Sequence, residues 1–143
     1  MHRRGFCEAL ATATAAILSP GCAALIGRRC LASEIVVDTT RRLVRCGAWR
    51  AECVLSRRGF GGRPGSKRTP LGDLTIIAKE ARHRFGPVLR IGGVSRDGYR
   101  QDGRGVLFHR KFGPGTSGCI ALDPADVRWL FEHVDVGARV SIV

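Results

Sequence analysis

A single well-announced helix, set among short runs rich in β-branched residues, constrains this fold more than any other feature of the chain. Asp123 is a good N-cap residue, Pro124 suits the first helical position, and Asp126 adds negative charge to the first turn. Val127, Leu130, Phe131 and Val134 recur at helical spacing, so the pattern predicts a helix over about 124–134 with those side chains facing the core. Gly137 ends the turn before a final strand. Upstream, Glu34 to Cys46 is rich in Val and Ile and reads as a strand, with Ala51 to Leu55 as its hairpin partner. Further strands are expected at Leu74–Ala78, Val88–Ile91 and Val106–His109. The charged segments 79–87 and 95–104 are expected to be exposed loops. The implied fold is mainly β: a β-sandwich or curved mixed sheet with one principal helix.

At 143 residues the chain can bury one modest domain but not two. The first 33 residues differ from the remainder. His2-Arg3-Arg4-Gly5-Phe6 has the basic start and paired arginines of a twin-arginine export signal, and a moderately apolar stretch follows from Ala9 to Ile26. Ser19-Pro20-Gly21 interrupts that stretch, which argues for a cleaved leader over a retained N-terminal anchor. The expected organisation is therefore an export signal or anchor over 1–33 and one domain over 34–143. Its location would be outside the cytoplasmic membrane, in the periplasm or cell envelope. Membrane contact is expected only through the leader, if it is uncleaved.

Charge narrows the partners less than it first suggests. The chain carries a formal +12, and after Ser33 there remain 20 Lys and Arg against 11 Asp and Glu. Such an excess favours anionic partners. The basic residues are scattered, and no RNA-recognition signature or stacking cluster accompanies them, so nucleic acid is not expected. Anionic wall polymer and the outer face of a membrane suit the charge equally well. Gly59-Phe60-Gly61-Gly62-Arg63-Pro64-Gly65 is glycine-dense, but it continues Ser66-Lys67-Arg68-Thr69 and no helix pattern follows, which excludes a phosphate-binding loop. Cys46, Cys53, His83 and His133 lack the close spacings of a zinc site, so no metal is expected. Cys46 and Cys53 flank a segment whose turn at 48–51 would set them opposite each other across a hairpin. A disulfide is then conceivable in an oxidising compartment, and two free thiols are the alternative.

The chemistry is concentrated in one stretch. Leu107-Phe108-His109 is followed, after Gly113-Pro114-Gly115, by Thr116-Ser117-Gly118-Cys119-Ile120-Ala121-Leu122. A thiol is nucleophilic as thiolate, and free cysteine at about pKa 8.5 is mostly protonated at neutral pH. A nearby imidazole can take that proton and later return it to a leaving amine. Fully extended, the ten residues from histidine to cysteine would span roughly 33 Å. The Gly-Pro-Gly loop is what allows them to turn back and meet. Gly118 lets the backbone crowd the thiol and aim amide groups at a developing oxyanion. The stretch reads as a Cys–His acyl-transfer site needing no cofactor, against the plainer alternative of a buried cysteine and a structural histidine.

The same stretch resembles the signature of the L,D-transpeptidase catalytic domain: a strand ending in histidine, a glycine-rich loop, then Ser/Thr-x-Gly-Cys and a β-branched residue. Thr116, Gly118, Cys119 and Ile120 match it. Gly65 to Ile76 resembles the family's Lys-x-Thr-Pro-x-Gly stretch through Lys67, Thr69, Pro70 and Gly72. Ile35-Val36-Val37-Asp38 and Gly137 to Ile142 look like its first and last strands. The resemblance extends over nearly everything after residue 34. Three departures stand out: Ala121 where the family usually has Arg, Arg110 where many members have Gly, and a short loop from His109 to Cys119.

What the resemblance implies is a mainly β fold and a cysteine acyltransferase acting on peptidoglycan stem peptides. Cys119 would be the nucleophile, His109 the proton donor and acceptor, and the Gly118 backbone an oxyanion donor. Thr116 would orient His109 or the substrate carbonyl, or be a plain turn hydroxyl. Lys67 and Thr69 would lie near the substrate groove. An L,D-carboxypeptidase on the same site and a non-catalytic wall-binding module are the alternatives.

Overall fold

The computed structural model describes residues 34–143; the expected leader lies outside the described residues. Eight strands and one helix follow in the order β1 (Glu34–Asp38), β2 (Leu43–Cys46), β3 (Trp49–Glu52), β4 (Gly72–His83), β5 (Gly86–Val94), β6 (Arg100–Arg110), β7 (Ile120–Leu122), α1 (Pro124–His133) and β8 (Arg139–Ile142). The strands form one mixed sheet in the order β3-β2-β1-β8-β4-β5-β6-β7, parallel at β1–β8 and β6–β7 and antiparallel elsewhere. The two ends of this sheet meet. Just beyond β3, Val54 bridges Ala121 of β7, with N–H···O distances of 2.8 and 2.9 Å in the two directions. The expected choice between sandwich and curved sheet thus resolves to a single sheet curled almost to closure, which leaves few unpaired edges.

The core follows strand alternation. Ile35, Val37, Leu74, Ile76, Leu89, Ile91, Phe108, Ile120, Leu122, Val140 and Ile142 meet in one cluster, and Val127, Leu130 and Val134 of α1 complete it. Phe131, expected among them, is half-buried and packs at the margin beneath Lys79, whose ammonium lies 4.8 Å from its ring. The helix lies against β5 and β6, and Trp129 reaches Trp49 of β3. Those indoles stack 4.5 Å apart at 2°, and His133 stacks on Trp129 at 4.2 Å.

Several expectations are corrected. The single strand over Glu34–Cys46 is two strands, because the chain reverses at 39–42 with Arg42 at φ 54°. The next turn is at Gly47-Ala48, so Cys46 faces Trp49 and Cys53 falls beyond the end of β3. The two cysteines are therefore not cross-strand partners, and Cys53 is a free thiol. Segment 79–87 is mostly strand rather than loop, with β4 and β5 running to a tight turn at Arg84-Phe85; in 95–104 the loop is 95–99 and the rest is strand, since β6 begins at Arg100. Their charges are satisfied sideways. Arg90 forks onto Glu80 at 2.6 Å and onto the Gly103 carbonyl at 2.9 Å, while Lys79 donates to the Val134 carbonyl at the helix end at 2.8 Å. Asp123 occupies the N-cap position without capping through its side chain; its carboxylate pairs with Lys111 at 3.3 Å.

Leu130 is fully buried and anchors the helix across the sheet. Leu130→Ala is expected to destabilise the protein by about 2–5 kcal/mol. The urea midpoint should fall accordingly, and an unchanged midpoint would contradict this packing.

Candidate active site

β7 is three residues long, yet it is held on both sides. Its parallel partner β6 sets Phe108 against Ile120, His109 against Ala121 and Arg110 against Leu122. Phe108, Ile120 and Leu122 point into the core cluster, so Leu107, His109 and Ala121 point to the other face. Cys119, one residue before β7, falls level with Leu107 and on the histidine's side by the same alternation. The thiol and the imidazole are thus brought to one face of neighbouring strands, a register step apart.

In this resting arrangement each is bonded to a main-chain carbonyl rather than to the other. The Cys119 thiol donates to the Gly105 carbonyl at 3.6 Å. His109 Nδ1 lies 2.6 Å from the Arg110 carbonyl. A carbonyl can only accept, so Nδ1 carries the proton and Nε2 of the neutral ring is left as the base. Burial lowers the His109 pKa; the bond to Arg110 opposes this, and His83 adds to the lowering. Burial raises the Cys119 pKa, with a main-chain hydrogen bond from Leu107 in opposition. At neutral pH both groups are therefore uncharged at rest. Cys53 is a poor rival: it is buried, and burial pushes its thiol up to about 11 against the pull of Arg42 and Lys111.

An aromatic wall surrounds the base. The Arg84-Phe85 turn carries Phe85 to 5.0 Å from His109, and Phe112 packs on both at 4.7 and 5.6 Å. Arg84 covers Phe85 and Arg110 covers Phe112. His109 keeps only 6% of its surface exposed as a result. Sequence reasoning missed Phe85, Phe112 and His83, because charged residues hid the hairpin that delivers the first of them.

The two motifs found in the sequence meet at Gly118. This residue has φ 108°, and a Cβ there would stand 2.9 Å from the Arg68 carbonyl. Only glycine fits. Thr116 donates its hydroxyl to the Cys119 carbonyl at 2.6 Å, so it braces the cysteine turn, and no hydrogen bond joins it to His109. Thr69, expected at the groove, is fully buried instead, its hydroxyl accepting the Ser56 N–H at 3.2 Å. Lys67 does line a groove of about 390 Å³ beside the thiol, together with Gly105 and Ser117, while its carbonyl accepts the Ser56 hydroxyl. Among the described residues no group of three or more His, Cys, Asp or Glu is gathered to hold a metal ion.

Residues 32–142 match the L,D-transpeptidase catalytic domain (YkuD). The chain belongs to that family. No curated protein matches it. Solved L,D-transpeptidases share its fold. One from Mycobacterium tuberculosis H37Rv aligns at TM-score 0.55 and 18% identity over 77% of this chain and 57% of its own. A cysteine-to-serine mutant of the Enterococcus faecium L,D-transpeptidase aligns at 0.53 and 21%, over 77% and 49%. L,D-transpeptidase 3 of M. tuberculosis, solved with a faropenem-derived adduct, aligns at 0.50 and 19%, over 76% and 59%. This chain therefore spans between about half and three fifths of the length of these solved relatives.

Two outcomes follow for this candidate site. Gly118→Ala is expected to cost about 1–3 kcal/mol and to slow Cys119 alkylation, because the cysteine turn must move off Arg68; normal melting and labelling would refute the clash. The pH dependence has a definite sign. A lowered imidazole pKa keeps Nε2 basic below the ordinary 6.5, and a raised thiol pKa delays thiolate beyond the ordinary 9.0. NMR titration of His109 should give a midpoint under the first value, and iodoacetamide labelling of Cys119 a midpoint over the second.

Proposed function

We propose that this protein is an exported L,D-transpeptidase that cross-links peptidoglycan through a Cys119 thioester. The observation that carries this reading is the pairing of β6 with β7, which presents His109 and Cys119 on one face within a domain of this family. The paired arginines Arg3 and Arg4, ahead of an apolar stretch, support export to the periplasm or cell envelope.

The reaction follows from the two neutral groups. As the donor carbonyl approaches, the Cys119 proton moves to His109 Nε2 and sulfur attacks the carbonyl carbon at the third stem residue. Negative charge gathers on the carbonyl oxygen, which the main-chain amides around Gly118 and Cys119 would stabilise; a strong donor of this kind contributes about 3–4 kcal/mol. The tetrahedral centre collapses, the carbon–nitrogen bond breaks, and His109 returns the proton to the leaving D-alanine amine. An acceptor amine then attacks the thioester and yields its proton to His109, which restores the thiol as sulfur departs. Neither step needs a cofactor. The aromatic wall of Phe85 and Phe112 keeps bulk water off the base, which favours the amine over hydrolysis to an L,D-carboxypeptidase outcome.

A non-catalytic wall-binding module is the competing reading, favoured by the raised thiol pKa and by Ala121 in place of the usual Arg. Intact-mass spectrometry with a carbapenem separates them. A single covalent adduct is expected on the parent protein and none on Cys119→Ala, and His109→Gln should slow its formation by about 10²–10⁴-fold. If no adduct forms while a thiol reagent still titrates Cys119 in folded protein, the module reading replaces the enzyme.

A further inference from the structure

The groove beside Cys119 carries more positive charge than one terminal carboxylate can neutralise. Its walls come from the loop Gly61–Arg68 and from the start of β6, and the Gly105 carbonyl that receives the thiol belongs to it. Arg63, Lys67, Arg68 and Arg100 line it without a carboxylate partner among the described residues; Arg104 has Asp102 at 3.5 Å. Cations gathered in a groove repel one another, and that repulsion is relieved only when an anion enters.

The walls are fastened together, which fixes the spacing of the main-chain segments that carry these cations. The Asp97 carboxylate accepts the Gly62 N–H at 2.8 Å and the Ser95 hydroxyl at 2.5 Å, and Gln101 donates to the Gly62 carbonyl at 2.6 Å. The loop backbone lies so close that a Cβ at Gly62 would stand 1.9 Å from Ser95 Oγ. Arg63 on one wall and Arg100 on the other are thereby presented to the same space. At about 390 Å³ that space falls within the roughly 300–1,000 Å³ usual for a small-ligand site.

We propose that this groove is a subsite for several carboxylates, which selects donor peptides with free side-chain carboxylates in addition to the terminal one. The inference rests on the transpeptidase reading for which peptide enters. Guanidinium groups pair bidentately with carboxylate, and an amide in its place offers no charge and one fewer acceptor oxygen. Amidation of the stem carboxylates would therefore turn a donor from a good ligand into a poor one.

Fluorescence anisotropy on full-length Cys119→Ala tests this without turnover, using two labelled tetrapeptides that differ only in free or amidated side-chain carboxylates. The diacid is expected to bind at least about tenfold more tightly, with the gap narrowing as salt rises from ~0.01 to ~0.1 M. Adding Arg63→Gln and Arg100→Gln should shrink the ratio below about threefold, while Arg45→Gln with Arg50→Gln on the β2–β3 hairpin leaves it intact. Equal binding of the two peptides, or a ratio indifferent to Arg63 and Arg100, overturns the subsite. So does tighter binding of duplex DNA that depends on the same two arginines, which would make the groove a general polyanion track. Carbapenem acylation of the cysteine-containing protein reads the catalytic reading separately. A selective groove without an adduct sinks the enzyme and keeps the subsite, and an adduct with a flat ratio does the reverse.

Discussion

The pair of hydrogen bonds between Val54 and Ala121 closes the sheet, and the site depends on that closure. A strand of three residues paired on one side only would fray, since its few main-chain bonds could not offset the entropy of ordering it. With β6 on one flank and Val54 on the other, β7 is fixed in register, and so is the cysteine that enters it. The loop ahead of β7 is held by the same region: Thr116 N–H donates to the Leu55 carbonyl, and the Thr116 hydroxyl closes the turn onto Cys119. A segment just past the β2–β3 hairpin, over sixty residues upstream of the cysteine, thus determines where the thiol stands. No local sequence pattern expresses such a constraint.

What was legible in the sequence were features with short-range causes. Helix α1 was visible because its apolar spacing and Asp-Pro start are local, and the division of β6 into a Phe108 face and a His109 face followed from strand alternation. The cysteine and histidine were visible as residue types whose chemistry is rare in combination. Charge misled where satisfaction came from across the sheet. Lys79 and Glu80 suggested a loop, yet each has a partner on another element, the end of α1 and Arg90 of β5. Thr69 belonged to a recognisable motif, but a motif does not state which side of a loop faces substrate; here the hydroxyl is turned inward to Ser56. The cysteine hairpin failed because the turn is two residues at Gly47-Ala48 rather than four at 48–51, which moves the partner of Cys46 from Cys53 to Trp49.

The site stores its reactivity in an uncharged form. Desolvation works against thiolate and against imidazolium alike, so the ion pair is disfavoured until a substrate arrives to be attacked. Such a thiol is slow toward small oxidants and alkylating agents, which react with thiolate.

The stacking of Trp49, Trp129 and His133 has an optical consequence. The chain contains two tryptophans, and both belong to this one stack, one on the edge strand and one on the helix. Their intrinsic emission and coupled near-ultraviolet dichroism therefore report a single event, the seating of the helix against the β2–β3 hairpin. The protein carries its own gauge of that docking, placed away from the chemistry, so that spectroscopy without any added dye can separate loss of fold from loss of function in every variant.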